Sequence, residues 1–128
     1  MKSVFNLITV LSMSFYFSGC VYNNEELLYE DDLSGNCDTK SISYSETIKP
    51  IITANCYSCH SVNNADSFGS GIDLETYNNL IITISNGTFI GTITHSPGYK
   101  PMPLGGEQLN DCSIEKINTW VNSGAVNN

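Results

Sequence analysis

Apolar residues recur at helical spacing in three stretches of this 128-residue chain, and each stretch carries its own boundary residues. The first begins near Ser43 or Ser45, either of which can cap a turn with Glu46 close to the positive helix end. It presents Ile48, Ile51, Ile52 and Ala54 on its way into the string Cys56-Tyr57-Ser58-Cys59-His60. Pro50 must sit in or just after its first turn, because an interior proline removes a helical hydrogen bond. The second follows Asp73, with Leu74, Tyr77, Leu80, Ile81 and Ile84 on one stripe and Gly87 as its stop. The β-branched run Leu80-Ile81-Ile82-Thr83-Ile84 also suits a strand, but helix is preferred. The third begins near Asn110 or Asp111, places Ile114, Ile117, Trp120 and Val121 on one face, and stops at Gly124. Its stripe reads as core material. Residues 91–104, between the second and third helices, are too rich in Gly and Pro to be regular and read as a structured loop.

The N-terminus has a different pattern. Lys2 precedes an apolar stretch from Val4 to Phe17 that ends in Phe17-Ser18-Gly19-Cys20. Asn6, Ser12 and Ser14 interrupt it, and it is short for a membrane span, so it reads as an export signal, with a retained anchor as the alternative. The stretch resembles a bacterial lipobox, which implies removal of residues 1–19 and acylation of Cys20. Phe17 departs from that pattern, standing where an aliphatic residue is usual. Residues 20–38 follow as an acidic tether containing Glu25, Glu26, Glu30, Asp31 and Asp32, and residues 39–128 form one small domain. No internal repeat or coiled coil is visible.

Charge narrows the partners. The five basic residues are all lysines, and Lys2 lies in the leader, so the mature chain sets four lysines against thirteen acids for a net charge of −9. Nucleic acid is excluded as a natural partner, and attachment to anionic lipid through basic residues is equally disfavoured. A redox partner with a basic docking face would suit this balance.

Candidate chemistry centres on residues 56–60. Cys-X-X-Cys-His is the attachment pattern for c-type haem: two thiols add to the vinyl groups, and the adjacent imidazole is the proximal iron ligand. The competing readings are a thioredoxin-like dithiol, which needs a βαβ setting, and half of a zinc site, which needs a second Cys or His pair. With Cys20 assigned to lipid and Cys56 and Cys59 to haem, Cys37 and Cys112 remain as a candidate disulfide, or as two buried free thiols. Met1 and Met13 belong to the leader, leaving Met102 as the one methionine of the mature chain. Held between Pro101 and Pro103, it is the candidate sixth ligand, with His95 the nitrogen alternative. Tyr99 and Lys100 are candidate propionate partners, or simply solvent-facing loop residues. A domain this small has little core of its own, and a covalently held macrocycle would supply apolar bulk.

Over most of residues 42–126 the chain resembles the class I monohaem cytochrome c family, in particular its small lipoprotein members. A helix leads into CYSCH, a Met-bearing loop THSPGYKPMP follows, and LNDCSIEKINTWVNSGA forms a final amphipathic helix. The resemblance implies an all-α fold with three or more helices around one covalent haem c. It implies Cys56 and Cys59 as thioether positions, His60 and Met102 as axial ligands, and the Ile48–Ile52 region packed against Ile117, Trp120 and Val121. Many members place a proline soon after the histidine to orient its ring, but this chain has none between Pro50 and Pro97. A backbone carbonyl from Phe68 to Ile72 is the expected substitute.

The implied function is electron transfer, without enzyme activity of its own, by a monomer tethered through Cys20. It would exchange electrons with redox-protein donors and acceptors on the periplasmic side of a bacterial membrane. The outer membrane is favoured, since Val21 is not the acidic residue associated with inner-membrane retention. Two alternatives remain: a haem-based sensor or peroxidase-like protein with an open distal site and His95 as its functional residue, and a lipoprotein interaction module whose CYSCH is a redox or metal pair.

Overall fold

The computed structural model describes residues 37–128. The leader, Cys20 and all of the tether before Cys37 lie outside the described residues. The described part is all-α, with four α-helices and no strand among the described residues.

A π-helical turn, Tyr44–Ile48, runs directly into α1, Lys49–His60. Ser43 is the cap: its side chain accepts the Glu46 N–H at 3.1 Å, which decides between the two serines. Pro50 is the second residue of α1 and has no N–H to return to the preceding turn; the helix is widened there, with the Lys49 N–H reaching back five residues to the Tyr44 carbonyl. Tyr44, Ile48 and Ile52 are buried, while Ala54 turns out to be exposed.

Helix α2, Tyr77–Ser85, starts later than the stripe suggested, because Asp73 builds a turn of its own. The Asp73 carboxylate accepts the N–H groups of Glu75 (2.8 Å) and Thr76 (3.4 Å), the Thr76 hydroxyl (2.5 Å) and the Asn79 amide (2.8 Å). Leu74 is buried within that turn instead of on the helix. The run 80–84 is helical.

Gly87 ends α2 with a left-handed backbone (φ 77°) and at the same residue caps α3, Thr88–Ile93. The expected irregular loop is therefore corrected at its start, since Gly91, Thr92 and Ile93 are helical. Gly91 acts as a packing slot and not as a breaker: a Cβ there would lie 2.5 Å from the Tyr99 ring.

Helix α4, Asp111–Asn122, is capped by the Asn110 side chain, which accepts the Ser113 N–H at 2.7 Å. It closes in a Schellman motif, with Ala125 N–H bonded to the Trp120 carbonyl (2.9 Å) and Gly124 N–H to Val121 (3.0 Å). Ile117 and Trp120 are fully buried against Tyr44, Ile48 and Ile52, and the rings of Tyr44 and Trp120 stack at 5.5 Å. Burial of these side chains at about 1.5–3 kcal/mol each is what joins the first and last helical segments.

The last residues act as a clasp. The Ala125 carbonyl accepts the Tyr77 hydroxyl (2.5 Å), the Val126 carbonyl accepts the Trp120 indole N–H (2.9 Å), and Asn128 accepts the N–H groups of Tyr44 and Ser45 (2.9 Å each). Two of the orphan donors at the start of the first helix are thus satisfied from the far end of the chain. Cys37 and Cys112 are disulfide-bonded, with Cα atoms 5.3 Å apart, which fastens the chain ahead of the first helix to the first turn of α4.

Candidate functional site

His60 is the last residue of α1, so its ring projects from a helix end into the segment that follows. That segment, residues 61–74, curls back on itself: Ala65 N–H bonds to Ser61 O (2.8 Å), and both Gly69 and Gly71 N–H groups reach Ala65 O (2.9 Å). Leu74 N–H then returns to the His60 carbonyl at 2.8 Å. The coil brings the Ile72 carbonyl to 2.9 Å from His60 Nδ1. A carbonyl only accepts, so Nδ1 carries the proton and Nε2 keeps its lone pair, the tautomer a metal ligand requires. This is the carbonyl contact expected from the 68–72 region in place of a proline.

Gly69 makes that contact possible. A Cβ at Gly69 would stand 2.6 Å from the Cys59 carbonyl oxygen, 2.9 Å from His60 Nδ1 and 3.1 Å from the Ala65 Cα. Nothing in the local sequence marked this glycine, because the demand comes from a segment ten residues earlier.

Cys56, Cys59, His60 and Met102 all line one cavity of about 510 Å³. Its wall is largely apolar, with Leu74, Phe89, Ile93 and Leu109 buried at the back and Phe68 and Leu104 exposed at the mouth. This volume is within the range of about 300–1,000 Å³ usual for small-molecule and cofactor sites. Tyr99 and Lys100 line it as well. His95 does not. Its Nε2 lies 3.0 Å from the Met102 carbonyl oxygen.

Cys56 and Cys59 are free thiols, Cys56 partly buried and Cys59 exposed. Burial pushes the Cys56 thiol up to about 11, which keeps it protonated at neutral pH. Both cysteines occupy the C-terminal half of α1. A thioredoxin-like dithiol needs a βαβ setting, and no strand occurs among the described residues. Among the described residues no three His, Cys, Asp or Glu side chains converge on a point that could hold a bare metal ion.

The site thus unites six of the residues singled out in the sequence, Cys56, Cys59, His60, Tyr99, Lys100 and Met102, leaves Cys37 and Cys112 bonded to each other elsewhere, and leaves Cys20 outside the described residues. Among the described residues no helix is long and apolar enough to cross a membrane. Compared with known proteins, the chain matches no family model, no curated protein and no solved structure.

Proposed function

We propose that this chain is a c-type cytochrome that carries electrons while tethered to a membrane by lipid on Cys20. The observation that carries the reading is the His60 ring, whose Nδ1–H is committed to the Ile72 carbonyl while Nε2 is left available beside a cavity that Met102 also lines. An imidazole and a thioether on one apolar cavity, with two free thiols at its edge, are the donor set that haem c requires.

The residues fit the group by their chemistry. Each of the Cys56 and Cys59 thiols would add across a vinyl group, forming a carbon–sulfur bond while the thiol proton passes to the neighbouring vinyl carbon. That step needs both thiols reduced and unpaired, as they are here. Haem c supplies, when bound, an iron that takes up and gives back one electron. His60 would hold it through Nε2, and Met102 would favour the ferrous state and leave no coordination position for substrate. Leu74, Phe89, Ile93 and Leu109 would exclude water from the macrocycle, and Lys100 would neutralise a propionate at the rim. The net negative chain would dock redox partners through their basic surfaces. The reading with an open distal site has no observation in its favour, since His95 is turned to the Met102 carbonyl.

The test is expression of the full chain in a host with c-type maturation machinery. The expected product carries one covalent haem by stained gel and mass, has a low-spin spectrum with a far-red methionine-to-ferric-iron charge-transfer band, and loses that band in Met102→Ala. Rapid carbon monoxide binding by the native ferrous protein would sink the carrier reading. Purification without covalent haem would sink the haem assignment.

A further inference from the structure

The backbone of Met102 is held from both sides by the end of α3. Pro101 and Pro103 have no N–H, so the Met102 amide is the single donor from 101 through 103, and it bonds to the Thr92 carbonyl at 3.1 Å. Its carbonyl in turn lies 3.0 Å from His95 Nε2. Because that acceptor cannot donate, Nε2 carries the proton, and the ring reaches across seven residues to close the loop. His95 does this from a left-handed backbone (φ 51°), uncommon for a residue with a Cβ. Its own N–H bonds to the same Thr92 carbonyl at 3.3 Å, and Ser96 N–H bonds to Gly91 at 2.9 Å, so the turn that aims the imidazole is itself pinned to the helix end.

Resting on the reading of Met102 as an iron ligand, we infer that His95 is a positioning residue for that ligand and not a ligand itself. With its N–H and its carbonyl both committed, the peptide planes on either side of the Met102 Cα are held, and its side chain stays on the cavity wall. A methionine–iron bond is easily displaced by a stronger nitrogen donor, so the fixed peptide matters most in the ferric protein.

The experiment uses the haem-loaded full chain as wild type, His95→Ala, His95→Gln, His95→Asn and Met102→Ala. Ferric samples are titrated with imidazole while the far-red band is followed, and amide hydrogen exchange is read at Met102. Glutamine places an N–H the same number of bonds from the backbone as His95 Nε2, whereas asparagine falls one short. The expected results are displacement at about tenfold lower imidazole in His95→Ala, about tenfold faster exchange at Met102, recovery of both in His95→Gln and no recovery in His95→Asn, tenfold being the factor one ordinary hydrogen bond controls. If His95→Ala does not fold, the comparison of His95→Asn with His95→Gln carries the same test. Wild-type behaviour of His95→Ala or His95→Asn in both readouts, with the band present in wild type and lost in Met102→Ala, would overturn the positioning role and leave Met102 ligation standing. Identical spectra for wild type and Met102→Ala would overturn Met102 ligation and this inference with it. Loss of six-coordination in His95→Ala alone would make His95 the ligand.

Discussion

Gly69→Ala is the most direct probe of how the His60 ring is aimed, because it adds one methyl group where space runs out and leaves every polar group intact. Ordinary van der Waals contact begins at 3.4 Å, and the new Cβ would stand 2.6 Å from the Cys59 carbonyl, so a backbone oxygen at the end of α1 must retreat by about 0.8 Å. His60 Nδ1, at 2.9 Å, must move by about half an ångström, which displaces it from the Ile72 carbonyl. Overpacking of this kind costs about 1–3 kcal/mol, and loss of the hydrogen bond about 1 more. The lower entropy of the unfolded alanine chain returns about half a kcal/mol, leaving a net loss of about 1.5–3.5 kcal/mol. In a domain of this size that lowers Tm by roughly 6–28 °C. The control is Gly71→Ala, where nothing lies within 4 Å of the added Cβ and the cost is only that of its left-handed backbone (φ 77°), about 1 kcal/mol. Thermal unfolding followed by circular dichroism compares the two. A Gly69→Ala melt no lower than that of Gly71→Ala would refute the argument.

Three other outcomes are expected. Replacing Cys37 and Cys112 by serine releases a cross-link spanning 75 residues, worth roughly 4 kcal/mol of unfolded-state entropy, and should lower the urea midpoint by more than about 1 M. Asp73 is pushed up by partial burial, but hydrogen bonds from Thr76, Asn79 and the Glu75 and Thr76 N–H groups outweigh this and hold it below its ordinary 3.8. A depressed carboxyl stabilises the fold above its unfolded pKa, so Asp73→Ala should cost about 0.5–1 kcal/mol at pH 7, with the difference from wild type shrinking as pH falls below about 4 in acid-melt series. Asn128→Ala removes one acceptor from the Tyr44 N–H and should cost about 0.5–1 kcal/mol by denaturant titration, with no change at the cavity.

What the sequence made legible were features that act over one or two turns. Asn110 capping α4, Gly124 closing it, Ser43 capping the first helix and the run of α1 into His60 all depend on neighbours within four or five residues. Met102 was legible as a candidate because, with Met1 and Met13 assigned to the expected leader, no other methionine was left, and the structure places it on the same cavity as His60, a placement that its distance along the chain did not reveal. Helix α3 was missed for the opposite reason. Gly91 looks like a breaker until Tyr99, eight residues later, is seen to fill the missing side chain's place. Gly69 and the Asn128 clasp were hidden in the same way, each answering a demand made by a distant segment. The role of His95 depended on which face of a turn its ring leaves from, a property of its left-handed backbone that no spacing rule encodes.

The disulfide has a mechanical consequence. Cys37 lies ahead of the first helical turn, and Cys112 is the second residue of α4. A pull on the chain upstream of Cys37 therefore enters the domain through a covalent bond and is delivered to the start of α4. The load then spreads from α4 through the buried contacts of Ile117 and Trp120 with Tyr44, Ile48 and Ile52, so it reaches α1 by side-chain packing as well as along the backbone that leads to His60.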